Sequence, residues 1–450
     1  MTPSSDLASF GVSACANQSV TYRPWAAPWS RIEVTEGARV DDTLQPSARG
    51  CVAYRVDLVA GRNTLIGTEA VSSAHSEWML RPSGAIGTVR VGFVLPPGFA
   101  VASAWPSAVG AWGTTLGGPD THRSRDAPRV GALGAEAVAS GASRLDASFV
   151  LPPLALELPS DVLVGHFEHS TRDVGGTQLQ VARVAGTLPH TQAQLVEHIA
   201  QAVGMVGSVG GRFPSERILA VVWPAPSDQP VQFGLTKRGG GASILLFFGE
   251  SAPAGSLAAD WVTVHELSHL LHPLVPGADR WLSEGIATYY QEVLRARAGW
   301  QTPEQAWTRI AQGFRTGRLG GTGRTLREEA LAMHETAAYT RVYWGGTAFA
   351  LAADMELRAR GSSLDAGIAR CVREVQRTSR PVPAGRILAV FDEALVPLGA
   401  EYGDRSEWPP TDDLLERLGV RWSSADDDAT VELVDAPESA LRDAIMRPRR

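Results

Sequence analysis

Hydrophobic and polar residues alternate in several short segments in the first part of the chain. Every second residue is apolar in residues 52–58 and 89–95, and a Pro-Pro-Gly run follows the second segment. Residues 162–167 and 178–184 also have strand character, with an Asp-Val-Gly-Gly turn signal between them. Alternation with a period of two predicts half-buried strands, and Gly and Pro mark the turns. Residues 1–186 are therefore predicted to form a β-rich, sandwich-like domain.

The pattern changes to helical spacing near residue 190. Apolar residues recur every three to four positions over 191–206, and strand-like runs follow at 218–223 and 242–248. Beyond residue 257 the spacing predicts helices at 258–272, 280–298, 303–315, 345–360 and 364–377. The fold class is α+β and multidomain, with a mostly helical domain with a small sheet at 187–385 and a helical or irregular extension at 386–450.

Two segments have a composition that predicts little regular structure. Residues 107–146 are rich in Gly, Ala and Ser and predict a loop. The last forty residues are polar and predict a peripheral segment.

Charge and composition exclude some classes of function. The chain has 450 residues, of which 44% are hydrophobic, and a net charge of −7. The negative net charge argues against a nucleic acid or an anionic membrane surface as the main partner. No run reaches the roughly 18–20 apolar residues of a membrane-spanning helix. Cys15 and Cys51 could pair, leaving Cys371, and such a disulfide would favour an exported protein. The N-terminus lacks the basic segment and apolar run of a signal peptide. The sequence therefore predicts either a cytoplasmic protein or an exported one whose signal peptide has been removed.

The candidate chemistry lies in His265-Glu266-Leu267-Ser268-His269. Residues four apart on a helix lie on one face, so both imidazoles can reach one ion. Neutral imidazoles suit zinc, which in catalytic sites takes three protein ligands and a water. Glu266 is the candidate general base, since it can accept a proton from that water.

A second helix supplies a candidate third ligand. Asp279 is a good N-cap, and a turn at Pro276-Gly277 would make this helix antiparallel to the first. Glu284 would then return to the histidine pair. His272 is the alternative ligand. No Gly–His continuation of the three-histidine type follows the motif, which favours a structural role for His272 or one in supporting the ligands.

These residues resemble the gluzincin zinc peptidases, and within them the glycyl aminopeptidase family, relatives of aminopeptidase N. The resemblance covers roughly residues 160–380 and, more loosely, the β-rich N-terminal part. Its segments are the His-Glu-x-x-His motif, Trp281-Leu282-Ser283-Glu284-Gly285, Tyr289-Tyr290, Phe213-Pro214-Ser215-Glu216-Arg217, Phe233-Gly234-Leu235, Tyr343-Trp344-Gly345-Gly346, Leu351 to Arg358, and Ser363-Leu364-Asp365.

The resemblance implies a thermolysin-like catalytic domain that binds one Zn²⁺ per chain. His265, His269 and Glu284 would bind the metal, and Glu266 would be the base. Tyr343 would donate a hydrogen bond to the oxyanion of the tetrahedral intermediate, with Tyr339 as the nearby competitor.

The sequence departs from the family at three points. The gap between His269 and Glu284 holds fourteen residues, fewer than in aminopeptidase N. Relatives carry a Glu on the substrate-binding edge strand that binds the free amine, whereas here Gly234-Leu235 is followed by Thr236-Lys237-Arg238. Gly345 stands where a lysine is usual, and no run of strands after residue 380 indicates the PDZ-like domain of many relatives.

Glycines near this segment suggest how a substrate is held. Gly239-Gly240-Gly241 would let a peptide backbone approach closely, and a flexible hairpin turn is the equal alternative. Gly234, Thr236, Gly240 and Gly241 are the candidate substrate-binding residues.

The sequence thus predicts a zinc metallopeptidase acting on peptides laid along residues 242–248. It could be an aminopeptidase with altered recognition of the N-terminus, or an endopeptidase. Two alternatives remain: a catalytically inactive relative that binds peptides or partners, and a zinc hydrolase of a non-peptide amide or ester. The partner is a peptide or protein substrate, and the oligomeric state is not predicted.

Overall fold

The computed structural model describes residues 2–3, 7–16, 20–83, 89–108, 147–374, 378–424, 426 and 429–448. The predicted loop at 107–146 lies almost wholly outside these residues. The chain forms two units, the first made of Met1–His169, Ala182–Ala185 and Lys237–Ser243, the second of Ser170–Val181, Gly186–Thr236 and Ile244–Arg450. The domain limits at 186 and 385 stay predictions.

Short antiparallel strands build the first unit, as the alternation predicts. Its described sheets have the strand orders β1-β2-β7-β4, β10-β3-β6-β5, β11-β13 and β12-β14-β9-β8. The strands are β1 Thr2–Pro3, β2 Ser9–Cys15, β3 Tyr22–Arg23, β4 Ile32–Glu36, β5 Ala38–Val40, β6 Thr43–Gln45, β7 Cys51–Asp57, β8 Thr64–Ile66, β9 Ala70–Ala74, β10 Arg81–Pro82, β11 Val89–Phe93, β12 Ala100–Ser103, β13 Ala147–Leu151 and β14 Asp161–Gly165.

The core of the first unit is aromatic and aliphatic. Strand β7 buries Val52, Tyr54 and Val56. Between them, Ala53 is half-buried and Arg55 is exposed to solvent. Trp78 and Trp105 pack edge to face, with ring centroids 6.4 Å apart. This alternation is what the sequence predicts for a strand with one buried face.

A disulfide joins two neighbouring strands of the first unit. Cys15 on β2 and Cys51 on β7 face each other in the strand register and are bonded. Cys371 is a free, buried thiol. The pairing that the sequence leaves open is therefore present.

A five-stranded sheet follows, and it corrects two predictions. Its strand order is β15-β16-β17-β19-β18, with β15 Phe167–Val174, β16 Thr177–Val184, β17 Arg217–Ala225, β18 Val231–Lys237 and β19 Ala242–Gly249. The predicted turn is present, with Gly175 and Gly176 both at positive φ. The hairpin strand before it, however, is β15 and not 162–167, because β14 pairs with β9 and β12 instead. The edge strands are β15 and β18, so the predicted peptide-binding strand 242–248, which belongs to β19, lies inside the sheet.

Eleven helices are described, all in the second unit. They are α1 Gln192–Gly210, α2 Val262–Ser268, α3 Arg280–Arg297, α4 Pro303–Leu319, α5 Leu326–Thr336, α6 Tyr339–Ala359, α7 Leu364–Glu374, α8 Ala384–Phe391, α9 Leu395–Gly403, α10 Thr411–Arg417 and α11 Ser439–Met446, with the hairpin β20 Val420–Trp422 and β21 Val431–Leu433 between the last two. None of these helices combines the length and the apolar character that crossing a membrane requires.

Two helices differ from the prediction, one in its first residue and one because the pattern did not predict it. Helix α2 begins at Val262 rather than 258, because a 3₁₀ turn at Ser256–Ala259 precedes it, and a second 3₁₀ turn, His269–Leu271, continues it. Helix α5 was not predicted from its mixed apolar pattern, although Thr325 and Glu328 form a capping box at its start.

Two further predictions need correction. Asp279 stands at the N-cap of α3, but its carboxylate accepts the Ala384 N–H at 2.8 Å and pairs with Arg327 instead of capping the helix. The last forty residues are not peripheral throughout: Ile445 is fully buried, and its carbonyl oxygen accepts a hydrogen bond from Arg297 Nε at 2.8 Å.

Helices α3 and α6 touch through their backbones. A Cβ at Gly285 would lie 2.2 Å from the backbone carbon of Gly346, and a Cβ at Gly346 would lie 2.1 Å from the Trp281 carbonyl oxygen. No side chain fits at either position without moving a helix. The crossing therefore requires glycine on both helices.

Replacing one of these glycines tests the crossing. We expect Gly346→Ala to lower the free energy of unfolding by about 1–3 kcal/mol, since an added methyl forces the helices apart. The control is Gly204→Ala on α1, where a Cβ meets nothing within 4 Å and where alanine should stabilise by about 0.4–1 kcal/mol. Thermal and urea unfolding measure both. Equal stability of the two variants would contradict the close crossing.

Candidate metal centre

Helices α2 and α3 bring the three predicted metal ligands together. His265 Nε2 lies 3.3 Å and His269 Nε2 3.6 Å from the same carboxylate oxygen of Glu284, Oε2. Ligand atoms of His265, Glu266 and His269 also lie within 4.8 Å of one another. The spacing of four on α2 and the return of α3 thus produce the predicted cluster.

The hydrogen bonds around His265 define which nitrogen faces the cluster. His265 Nδ1 lies 2.8 Å from Gln291 Oε1, and Gln291 Nε2 donates to Glu292 Oε1 at 3.0 Å. Because an ionised carboxylate only accepts, the Gln291 amide must turn its NH₂ to Glu292 and its oxygen to the imidazole. His265 Nδ1 therefore carries the proton, and the Nε2 lone pair points to the Glu284 side.

Glu292 is held from two further directions. It is 2% exposed, accepts from Gln301 Nε2 at 2.8 Å, and lies 3.4 Å from Arg295 Nη1. A buried carboxylate needs such partners, because removing it from water unpaired is costly. Glu292 can thus keep the Gln291 amide in one orientation.

The second imidazole has its own partner. His269 Nδ1 lies 3.1 Å from the hydroxyl of Ser283, the residue before Glu284. The alternative ligand His272 is fully buried, and its Nδ1 lies 2.7 Å from the Pro273 carbonyl oxygen. In the described part of the chain His272 is not a member of the metal-ligand group, which agrees with a structural role.

The donor set fits zinc. Burial raises the pKa of Glu284, but the neighbouring imidazoles of His269 and His265, with Arg280, outweigh it and hold that pKa at about 2. Its Oε2 is buried and accepts no hydrogen bond from the residues that the structure describes. Two imidazole nitrogens and one ionised carboxylate oxygen are the three-ligand set of catalytic zinc sites.

Tyr343 lies against the ligand set and Tyr339 lies farther out. The Tyr343 ring stacks on the His265 ring, with centroids 5.7 Å apart. Burial, followed by the charges of Glu284 and Glu266, raises the pKa of Tyr343, which keeps its hydroxyl protonated and able to donate. Tyr339 is 39% exposed, and its hydroxyl lies 3.2 Å from His334 Nδ1.

Two of the predicted substrate-binding residues lie against Glu266. A Cβ at Gly234 would be 2.5 Å from Glu266 Cγ. The Thr236 hydroxyl oxygen lies 2.9 Å from Glu266 Oε2 and 2.8 Å from the Glu266 carbonyl oxygen. Strand β18 therefore touches the candidate base directly.

The other two predicted substrate-binding residues, Gly240 and Gly241, belong to the first unit. A Cβ at Gly240 would be 2.8 Å from Ala155 Cβ, and one at Gly241 would be 2.6 Å from the Ala104 carbonyl oxygen. Lys237, in the same unit, donates to both carboxylate oxygens of Asp161, at 2.8 and 3.0 Å. Close packing thus gives a structural reason for both glycines, and their contact with substrate stays a prediction.

Sequence reasoning missed the residues that fix the start of α2. Asp260 Oδ1 accepts the Thr263 N–H at 3.2 Å, and Asp260 Oδ2 lies 2.7 Å from His198 Nε2 on α1. Trp300 stacks on the His198 ring at 4.7 Å. An Asp three residues before a helical N–H is a capping signal that could have identified Asp260. Gln291, seven residues after Glu284, lies on the same face of α3 and could have been found from that spacing.

Comparisons with solved structures give the fold. The chain is similar to an aminopeptidase N family protein from Idiomarina loihiensis, at a TM-score of 0.67 and 13% identity, over 95% of this chain and 79% of that chain. It is similar to an M1 zinc metallopeptidase from Deinococcus radiodurans at a TM-score of 0.52 and 16% identity, over 89% of this chain and 90% of that chain. A mutant of the Deinococcus radiodurans peptidase is described as bound to a Tyr-Ser-Ala substrate.

No family model matches the chain, and no curated protein matches it. The structural likeness confirms the predicted fold class and, at the level of the fold, the resemblance to the gluzincin aminopeptidases. At these identities the likeness establishes the fold alone.

A substitution on α3 tests the role of the amide beside His265. We expect Gln291→Met to lower the affinity for zinc by about 10–100-fold, because His265 Nδ1 loses its acceptor. Competition with a chromophoric chelator measures this affinity. The matched control is Gln178→Met, which removes an exposed amide on strand β16. Unchanged zinc affinity in Gln291→Met would show that the amide does not orient the ligand.

Proposed function

We propose that the protein is a zinc-dependent peptidase that binds one Zn²⁺ through His265, His269 and Glu284. The observation that carries the proposal is the convergence of two imidazole Nε2 atoms on one buried carboxylate oxygen at 3.3 and 3.6 Å. Each imidazole has its Nδ1 engaged by another side chain, which leaves Nε2 for the metal. Chance histidine pairs on a helix need no such partners.

The chain's own groups would carry the proton transfers. Zinc, when bound, polarises the scissile carbonyl and lowers the pKa of the attacking water. Glu266 accepts a proton from that water and passes it to the leaving amine nitrogen as the C–N bond breaks. Tyr343, protonated and beside the ligand set, donates a hydrogen bond to the oxyanion that develops on the carbonyl oxygen.

The proposed substrate is a peptide laid along the edge strand β18. An edge strand offers backbone N–H and C=O groups to an extended peptide, and β18 contacts Glu266 through Gly234 and Thr236. A peptide substrate is also what the similar Deinococcus radiodurans peptidase is described with.

We propose further that cleavage does not depend on a free N-terminus. The relatives that the sequence resembles carry a Glu on this strand to bind the amine, and a hydroxyl stands at Thr236 here. The next residue, Lys237, is cationic and is paired with Asp161. A cation repels an ammonium group, so neither residue can replace the missing carboxylate.

The general base is tested by Glu266→Gln. We expect zinc to be retained, since Glu266 is not among the proposed ligands, and kcat to fall by about 10²–10⁴-fold, since glutamine cannot take the proton from the water. Metal analysis and turnover of a peptide library measure the two effects. Glu250→Gln, an exposed glutamate in a turn, is the control. Full activity without Glu266, or a wild-type protein that binds no zinc, would overturn the mechanism.

The recognition of the N-terminus is tested with matched peptides. We expect N-acetylated and free peptides of the same sequence to be cleaved with kcat/KM values within about tenfold of each other, because no carboxylate holds the amine. Mass-spectrometric cleavage profiling measures this ratio and the bonds cut. Cleavage of free peptides only, one residue at a time, would instead indicate an aminopeptidase. Amide or ester substrates that outperform all peptides would indicate a different hydrolase.

A further inference from the structure

We propose that Thr236 is a positioning residue that holds the carboxylate of Glu266 in its working orientation. The inference rests on the proposed function, in which Glu266 is the base. It gives a role to a residue that the sequence suggests only as a substrate contact.

One face of β18 is shaped around the Glu266 side chain. Residues two apart on a strand point to the same face, and both Gly234 and Thr236 contact Glu266. Phe233 precedes Gly234, and Leu235 lies between Gly234 and Thr236. Both lie on the opposite face of the strand, where Phe233 is 53% and Leu235 41% exposed. On the face toward Glu266, β18 therefore has no side chain at Gly234 and a hydroxyl group at Thr236.

The glycine leaves room for the stem of Glu266. A Cβ at Gly234 would lie 2.5 Å from Glu266 Cγ and 3.2 Å from its carboxyl carbon. It would also lie 3.2 Å from Leu246 Cδ2 on the neighbouring strand. Any larger residue would push the Glu266 side chain away, so the stem is packed against the backbone of β18.

The hydroxyl fixes the other end of the same side chain. Thr236 Oγ1 lies 2.9 Å from Glu266 Oε2 and 2.8 Å from the Glu266 carbonyl oxygen. A hydroxyl has one proton and two lone pairs, so it donates to one of these oxygens at a time. When it donates to Oε2, the hydroxyl anchors the carboxylate to β18, and the Glu266 carbonyl oxygen is the alternative acceptor of the same proton.

Threonine suits this task better than valine or serine, the two residues most similar to it in size. Its β-branched side chain has few rotamers on a strand, so the hydroxyl is already directed when the carboxylate arrives. Valine has the same shape without the hydroxyl, and serine has the hydroxyl without the branch. These two replacements therefore separate hydrogen bonding from packing.

The test uses the zinc-loaded, full-length protein with Thr236→Val and Thr236→Ser. We expect Thr236→Val to lower kcat by about 10–100-fold, with KM within about twofold and zinc content unchanged, and Thr236→Ser to recover most of kcat. Thr316→Val, which removes an exposed hydroxyl on α4 that donates to the Gln312 carbonyl oxygen, should leave kcat unchanged. A Thr236→Val variant with full kcat would overturn the proposal, and so would one in which only KM rises, since that result marks a substrate contact.

A double variant shows whether the two residues act together. In the Glu266→Gln background, Thr236→Val should lower kcat by less than about twofold, because the carboxylate it positions is already gone. An unchanged 10–100-fold loss in that background would indicate a general structural role and would overturn the proposal.

Crystal structures of the zinc-loaded wild type and variants provide a readout that needs no activity. We expect the Glu266 carboxylate to keep one orientation in the wild type and in Thr236→Ser, and to lose it in Thr236→Val. A single unchanged orientation in Thr236→Val would overturn the positioning role even if no peptide is cleaved. Ordered zinc and carboxylate with no turnover of any peptide would instead overturn the proposed function alone.

Discussion

The candidate site depends on the backbone contact between α3 and α6 at Gly285 and Gly346. Glu284 is the residue before the first glycine, and Tyr343 lies one helical turn before the second. Because the two backbones touch, the carboxylate on one helix and the phenol on the other both reach His265, the first at Nε2 and the second at the face of the ring. Two alanines at the crossing would separate the helices and with them the candidate third ligand and the candidate oxyanion donor.

Around this crossing, buried polar side chains orient the ligands. Gln291 and Glu292 fix the protonated nitrogen of His265, and Ser283 faces His269. Such groups cost free energy when buried, and complete hydrogen bonding offsets that cost. The orientation of the candidate ligands is therefore set by side chains outside the predicted ligand set.

The sequence predicts that the candidate ligands lie close together, because their relative positions follow from local geometry. His269 follows His265 by four positions, about one helical turn, and a short turn returns α3 with Glu284. The hydrophobic pattern does not predict strand β18, since its apolar residues Phe233 and Leu235 are exposed, the reverse of the usual pattern. Only the resemblance indicates an edge strand there. The contact of Thr236 with Glu266 could not be predicted either, because it depends on how β18 lies against α2 and not on any spacing along the chain.

The capping of α2 links two distant parts of the chain. Asp260 satisfies a free N–H at the start of that helix, and His198, which holds Asp260, lies on α1. Any local opening that lifts α1 from the second unit would also release the first turn of the helix that carries both imidazoles. A metal ion that binds only the assembled ligands disfavours such openings by mass action. Zinc would therefore slow the amide hydrogen exchange of α1, a helix that contributes none of the predicted ligands.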